Sequence, residues 1–296
     1  MPEPSASSVR QPAVAGRFYP ADSVQCRREA QSFLDIGRVN VGDTKWIGGV
    51  VPHAGWVCSG AIAGQTIATL ASGASVDVVV VFGAVHTPYR FEFGALDSHA
   101  TWALPGRESS LPLEVERQLL GKGTVFGVEP RLHEREHAVE VEVPLIQLAW
   151  PNATILPIEV PAVSMAALIG RKTAQTLQAA GIQAVYLASS DFTHYGTNYG
   201  FTPAGVGSAA MQWTKDNDRR VLAMIERLAV DEIVPEVARH QNACGAGAIA
   251  AMLAACREHG ATQARTITHA TSYETLAKVM PQEPTNAVGY ASIVIG

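Results

Sequence analysis

The segment Val76–Phe82 constrains the fold more than any other part of the chain: valine fills five of its seven positions and phenylalanine ends it. A strand sends successive side chains to opposite faces, so an apolar run without alternation leaves no face for water. Such a strand belongs in a mostly parallel sheet with helices on both faces. The surrounding sequence repeats that rhythm. Trp46–Val51, Ala153–Val160 and Gln183–Ala188 read as strands, and Phe91–Leu96 as a shorter one. Helical patterns fall between them: Ala21–Ile36 with Asp22 or Ser23 as cap, Ser59–Leu70 capped by Ser59, Leu113–Leu120, and Met165–Ala180 stopped by Gly181. Val139–Ala149 reads as helix, although Val139, Val141 and Val143 also alternate like a strand. Later come helices at Ala209–Leu228, at Val234–Arg239 with Pro235 in its first turn, and at Gly245–Glu258, whose alanines and glycines call for a close neighbour. Strand-like runs Ala264–Ser272 and Ala287–Ile295 follow. Residues 1–9 read as a flexible tail, and 10–296 as a single α/β domain.

Of the 296 residues, 47% are hydrophobic, enough to bury a large core. A net charge of −5 with no Lys/Arg cluster gives nucleic acid or an anionic membrane nothing to hold. No apolar run reaches about 18 residues, so no span is expected. Cys26, Cys58, Cys244 and Cys256 form no CxxC pair, which argues against a zinc knuckle or a disulfide framework. Met1–Val9 is polar and Ser-rich, so the expected location is a reducing cytoplasm.

Three of the expected strands run into histidine loops. Trp46–Val51 leads to His53 between Pro52 and Ala54-Gly55, Val76–Phe82 leads to His86, and Gln183–Ala188 leads to Ser189-Ser190-Asp191-Phe192-Thr193-His194-Tyr195-Gly196. In an open parallel sheet, loops at the carboxyl ends of strands share one crevice, where ligands bind. Asp191 and His194 are three apart; on a helical turn the carboxylate would orient the imidazole for proton transfer. Cys244 precedes the Gly245–Glu258 helix, where the helix dipole would favour its thiolate, a soft metal ligand. His137 and Glu140 are also three apart and read as supporting or substrate contacts. Two histidines and a thiolate with an open position suit iron(II) or copper better than zinc.

Six segments, in order, make the chain resemble the Memo-like family, whose bacterial members include AmmeMemoRadiSam system protein B. They are Arg10 to Pro20, Pro52 to Gly60, Gly83 to His86, Glu136 to Leu145, Ser189 to Gly196, and Cys244-Gly245. The resemblance implies a fold like that of class III extradiol dioxygenases, non-haem iron(II) enzymes. It implies His53, His86 and Cys244 at the metal positions, with Asp191 and His194 as the remaining pocket residues and His194 as the acid–base group. Where the family carries Gly-Pro-Ser-His-His, this chain has Gly83-Ala84-Val85-His86-Thr87, so the second histidine is replaced. The function expected is a metal-binding, oxidoreductase-like protein. Its ligand would be a small molecule or peptide, and its partner proteins would come from the same gene system. Three alternatives are an extradiol-type ring-cleaving dioxygenase, a zinc hydrolase, and a non-enzymatic module binding a peptide or protein through the same pocket, lined by Trp56, Phe192 and Tyr195.

Overall fold

The computed structural model describes residues 8–42, 44–73, 75–121, 123–281 and 283–296. Its strands are β1 (Val9–Arg10), β2 (Gly48–Val51), β3 (Val78–Gly83), β4 (Gly94–Leu96), β5 (Thr101–Leu104), β6 (Arg107–Ser110), β7 (Phe126–Val128), β8 (Thr154–Glu159), β9 (Ala184–Ser189), β10 (His194–Gly196), β11 (Ala264–Thr271) and β12 (Asn286–Ile295). Its helices are α1 (Ser23–Ile36), α2 (Trp56–Ala71), α3 (Leu113–Leu119), α4 (Val143–Ala149), α5 (Ala166–Ala179), α6 (Ser208–Glu226), α7 (Val230–His240), α8 (Ala246–Glu258) and α9 (Ser272–Leu276).

The valine run is β3, and it divides its side chains between two cores as its composition requires. Val78, Val80 and Phe82 enter a core covered by α3, α5, α6, α7 and α8. Val79 and Val81 enter a second core, under α1, α2 and α4. The chain is therefore a single α/β domain with helices on both sides of its main sheet.

The nine-stranded main sheet runs β10-β12-β2-β9-β3-β8-β4-β7, with β11 also on β12. The four central strands β2, β9, β3 and β8 are mutually parallel. The flanks are antiparallel: β4 against β8 on one side, and β12 against β2 on the other. The expected parallel sheet is thus its centre, and the whole is mixed.

Several local expectations shift. α2 begins at Trp56 behind Gly55, and Ser59 is not its cap; its hydroxyl instead donates to the Ala54 carbonyl at 3.0 Å. Val139–Ala149 is helical, a 3-10 turn at Glu140–Glu142 followed by α4. α7 spans Val230–His240, so Pro235 lies inside it rather than in the first turn. The short hairpin β5–β6, β7 and β10 lie in segments with no strand-like run long enough to read.

Residues 1–7 of the expected tail lie outside the described residues. Val9 is not tail: with Arg10 it pairs in parallel with Thr101 and Trp102. Arg10 is buried and donates to the His133 carbonyl (2.8 Å), the Glu136 carbonyl (2.8 Å) and the Glu140 carboxylate (2.7 Å), with its guanidinium 4.1 Å from the Trp102 ring centre. The same carboxylate accepts from the Ala13 and Val14 amides and the Tyr19 hydroxyl. A buried, fully hydrogen-bonded ion pair thus fastens the turn-rich Arg10–Pro20 segment to the loop that precedes α4.

Candidate metal centre

β2, β9 and β3 lie side by side and end at the same edge, so the loops after them converge there. His53 leaves β2, His86 leaves β3, and His137 arrives on the loop that Arg10 anchors. One potential ligand nitrogen from each lies within 4.8 Å of the others. The ring centres are 5.1 Å apart for His53 and His86, 5.3 Å for His53 and His137, and 4.5 Å for the stacked His86 and His137. His53 forms the buried floor, and the His86 side chain remains 35% exposed, so the cluster opens to solvent.

The hydrogen bonds fix which nitrogen each ring presents. Glu136 Oε1 lies 2.8 Å from His86 Nδ1 and 3.2 Å from His137 Nδ1. It also accepts from the His137 and Ala138 amides, while Oε2 accepts from the His86 amide at 2.7 Å. A carboxylate only accepts, so both Nδ1 atoms carry hydrogen, and in the neutral form of each ring Nε2 is the nitrogen with the lone pair. His53 reaches the same state by another route. The Ser189 hydroxyl donates to the Ala138 carbonyl at 2.5 Å, so at 2.8 Å it accepts from His53 Nδ1–H. His53 Nε2 is then the acceptor facing Cys244 Sγ at 3.3 Å.

Burial and the charges of His86 and His137 hold His53 well below the ordinary histidine range, so its ring is neutral. Burial also pulls on His86, but the Glu136 hydrogen bond and charge outweigh it and raise it. Glu136 is buried, which favours its neutral form, yet its donors His137 and His86 hold it well below the usual carboxylate range.

Cys244 lies where the Phe192–Ala243 bridge brings the start of α8 against the β9 loop. Its thiol is not an easily formed thiolate: burial, then the Asp191 charge, push it well up. The dipole at a helix start does not offset that desolvation. Asp191 does not orient His194 either. The loop is extended rather than helical; Asp191 Oδ1 accepts from the His53 amide at 2.9 Å, and burial pushes this acid up to about 7. His194 Nδ1 instead donates to the Phe192 carbonyl at 3.1 Å, and burial with the His86 charge pulls its ring down to about 4.

The other expected contacts lie in the interior. Glu140 is consumed by Arg10, Ala13, Val14 and Tyr19. Trp56 is buried with its indole N–H on the Val141 carbonyl. Tyr195 is buried against Phe201 and Trp213, its hydroxyl donating to Gly205. Phe192 is wholly buried, so these aromatics do not form an exposed groove. The sequence does not connect Glu136 or Ser189 with the imidazoles they orient; only the adjacency of Glu136 and His137 hinted at the first.

The profile of the Memo-like protein family matches residues 10–294. Curated relatives cover nearly the whole chain. A MEMO1 family protein of Thermococcus kodakarensis is 30% identical, covering 97% of this chain and 99% of its own. Another, of Methanococcoides burtonii, is 31% identical, covering 97% of this chain and 100% of its own. A match of this extent, together with these full-length relatives, makes the chain a member of the Memo-like protein family.

Proposed function

We propose that this protein binds a redox-active transition metal, iron(II) or copper, at His53, His86, His137 and Cys244, and acts as an oxidoreductase. The observation that carries the reading is three imidazoles from three loops in one small cluster, each with its Nδ1 facing an acceptor, so that the neutral ring offers Nε2 to an ion. The three imidazoles form the cluster, and Cys244, which is not part of it, adjoins it through His53 alone. Two atoms on one metal at about 2.0–2.3 Å lie roughly 3.5 Å apart in tetrahedral geometry, and His53 Nε2 and Cys244 Sγ are separated by 3.3 Å. On binding an ion, Cys244 would release its proton to solvent or a nearby base, and the ion's positive charge would offset the burial penalty on the thiolate. When bound, such an ion supplies Lewis acidity and one-electron chemistry.

His194 is the proton carrier in this reading. Its Nδ1–H is held by the Phe192 carbonyl, so Nε2 is free to accept a proton, and its ring is neutral in the resting protein. Asp191 positions His53 through the backbone instead of serving His194. The opening at His86 is the route for a small molecule or peptide.

The test is elemental analysis of protein purified without an affinity tag. About one iron or copper per chain is expected, falling sharply in His53→Ala and in His86→Ala. A metal-free native protein that takes up neither ion under anaerobic conditions would sink the proposal. Oxygen uptake with a coloured product from a catechol would favour ring cleavage; zinc with a pH-dependent esterase activity would replace the redox reading.

A further inference from the structure

A second concavity, of about 700 Å³, lies between α1, the β5–β6 turn and α4. Residues at helical spacing place Val24, Arg27, Arg28 and Asp35 along its α1 wall. Arg107 stands opposite, on the hairpin turn. Its guanidinium is held by the carbonyls of Gln147 and Pro151, which orient it without neutralising it. The side chains of Arg27 and Arg28 make no hydrogen bond or ion pair among the described residues. Asp35, the sole carboxylate on the lining, accepts from Gln31. The cleft thus gathers three guanidinium groups against one carboxylate in a chain whose net charge is −5. Val24, Leu148 and Pro105 give the same cleft apolar surface.

We infer that this cleft binds a phosphorylated small molecule of nucleotide size. Planar guanidinium forks match phosphate oxygens in pairs, and one of the three is already fixed in place. The apolar residues offer a surface for a ring, and the volume falls in the range of small-molecule sites, roughly 300–1,000 Å³. No residue of the metal cluster lines the cleft, so the inference does not rest on the redox reading.

Calorimetric titration with ADP and with inorganic pyrophosphate tests it, at low salt and again at about 0.2 M salt. Saturable ADP binding is expected, weaker at the higher salt, with pyrophosphate weaker than ADP. In R27Q/R28Q, which alters two exposed side chains, ADP affinity should fall by about tenfold or more. R27K/R28K, which keeps charge but loses the fork, should fall between the two. Metal content and unfolding temperature should be unchanged in both variants. No saturable ADP binding to the parent, or equal binding by R27Q/R28Q, would overturn the site. Equal affinity for ADP and pyrophosphate would overturn the assignment of an organic ligand.

Discussion

Glu136 holds two imidazoles with one oxygen, and the energetic weight of the cluster falls on it. Replacing it with Gln keeps the shape but sets an N–H₂ group among donors, against either the His86 amide or both rings. Glu136→Gln should weaken metal binding by about 10–100-fold in a chelator competition, with little change in the far-UV circular dichroism spectrum. His53 and His86 were legible as candidates because each stands just after an apolar run stops, and Cys244 because a helix starts beside it. Glu136 was not, because its bond to His86 crosses 50 residues and no spacing rule joins them. A second residue prediction concerns Glu116 on α3, a buried carboxyl with no hydrogen-bond partner among the described residues. Burial, then the Asp97 charge, push it up to about 8. Its acid form is favoured in the folded chain, so stability is full below the ordinary glutamate range and declines as pH rises toward 8, by a few kcal/mol at about 1.4 kcal/mol per pH unit. In Glu116→Gln the urea midpoint should change less between pH 5 and pH 8 than in the parent; an identical pH slope would contradict this.

Elements meet in this protein through small residues and buried charge. A Cβ on Gly170 of α5 would sit 1.9 Å from the Ala251 carbonyl oxygen of α8, so the two helices cross in backbone contact. The alanine- and glycine-rich composition of Gly245–Glu258 announced such a neighbour, though not which helix it would be. Gly170→Ala should destabilise the protein by about 1–3 kcal/mol or more by urea unfolding, because neither backbone can yield cheaply. The Arg10–Glu140 pair works at the same scale, joining the chain before α1 to the loop carrying Glu136 and His137. Arg10→Met removes one partner and leaves Glu140 buried, at a cost of about 3–5 kcal/mol. It should also lower metal affinity, since the loop that presents His137 loses its anchor. The sequence marked both segments but not their pairing: Glu140, read as supporting or substrate contact, is the N-terminal segment's anchor.

For the whole molecule, His53 and His86 come from loops whose strands are set by the sheet and His137 from the loop that Arg10 anchors, so an ion bound there would be linked to folding. An ion bound only by the folded chain stabilises it by about 2.7 kcal/mol at a hundred times its dissociation constant. Thermal unfolding should therefore move upward by several degrees on adding the cognate ion to the parent, and not in His53→Ala. The alternation of runs and helices made the α/β class readable. The antiparallel flanks were not readable, because strand order depends on pairings between distant segments rather than on local pattern.

β12 shows what those pairings mean in time. It pairs with β2 through Ile293 and Val50, and its Gly289 exchanges backbone hydrogen bonds with Phe192 and Thr193 beside the cluster. A strand from late in the chain thus lies inside the sheet, next to one from near its start, and props the loop that carries His194. Contacts of such sequence separation close slowly. Competence to take up an ion should accordingly return in the slowest phase of refolding, after most helical signal has recovered.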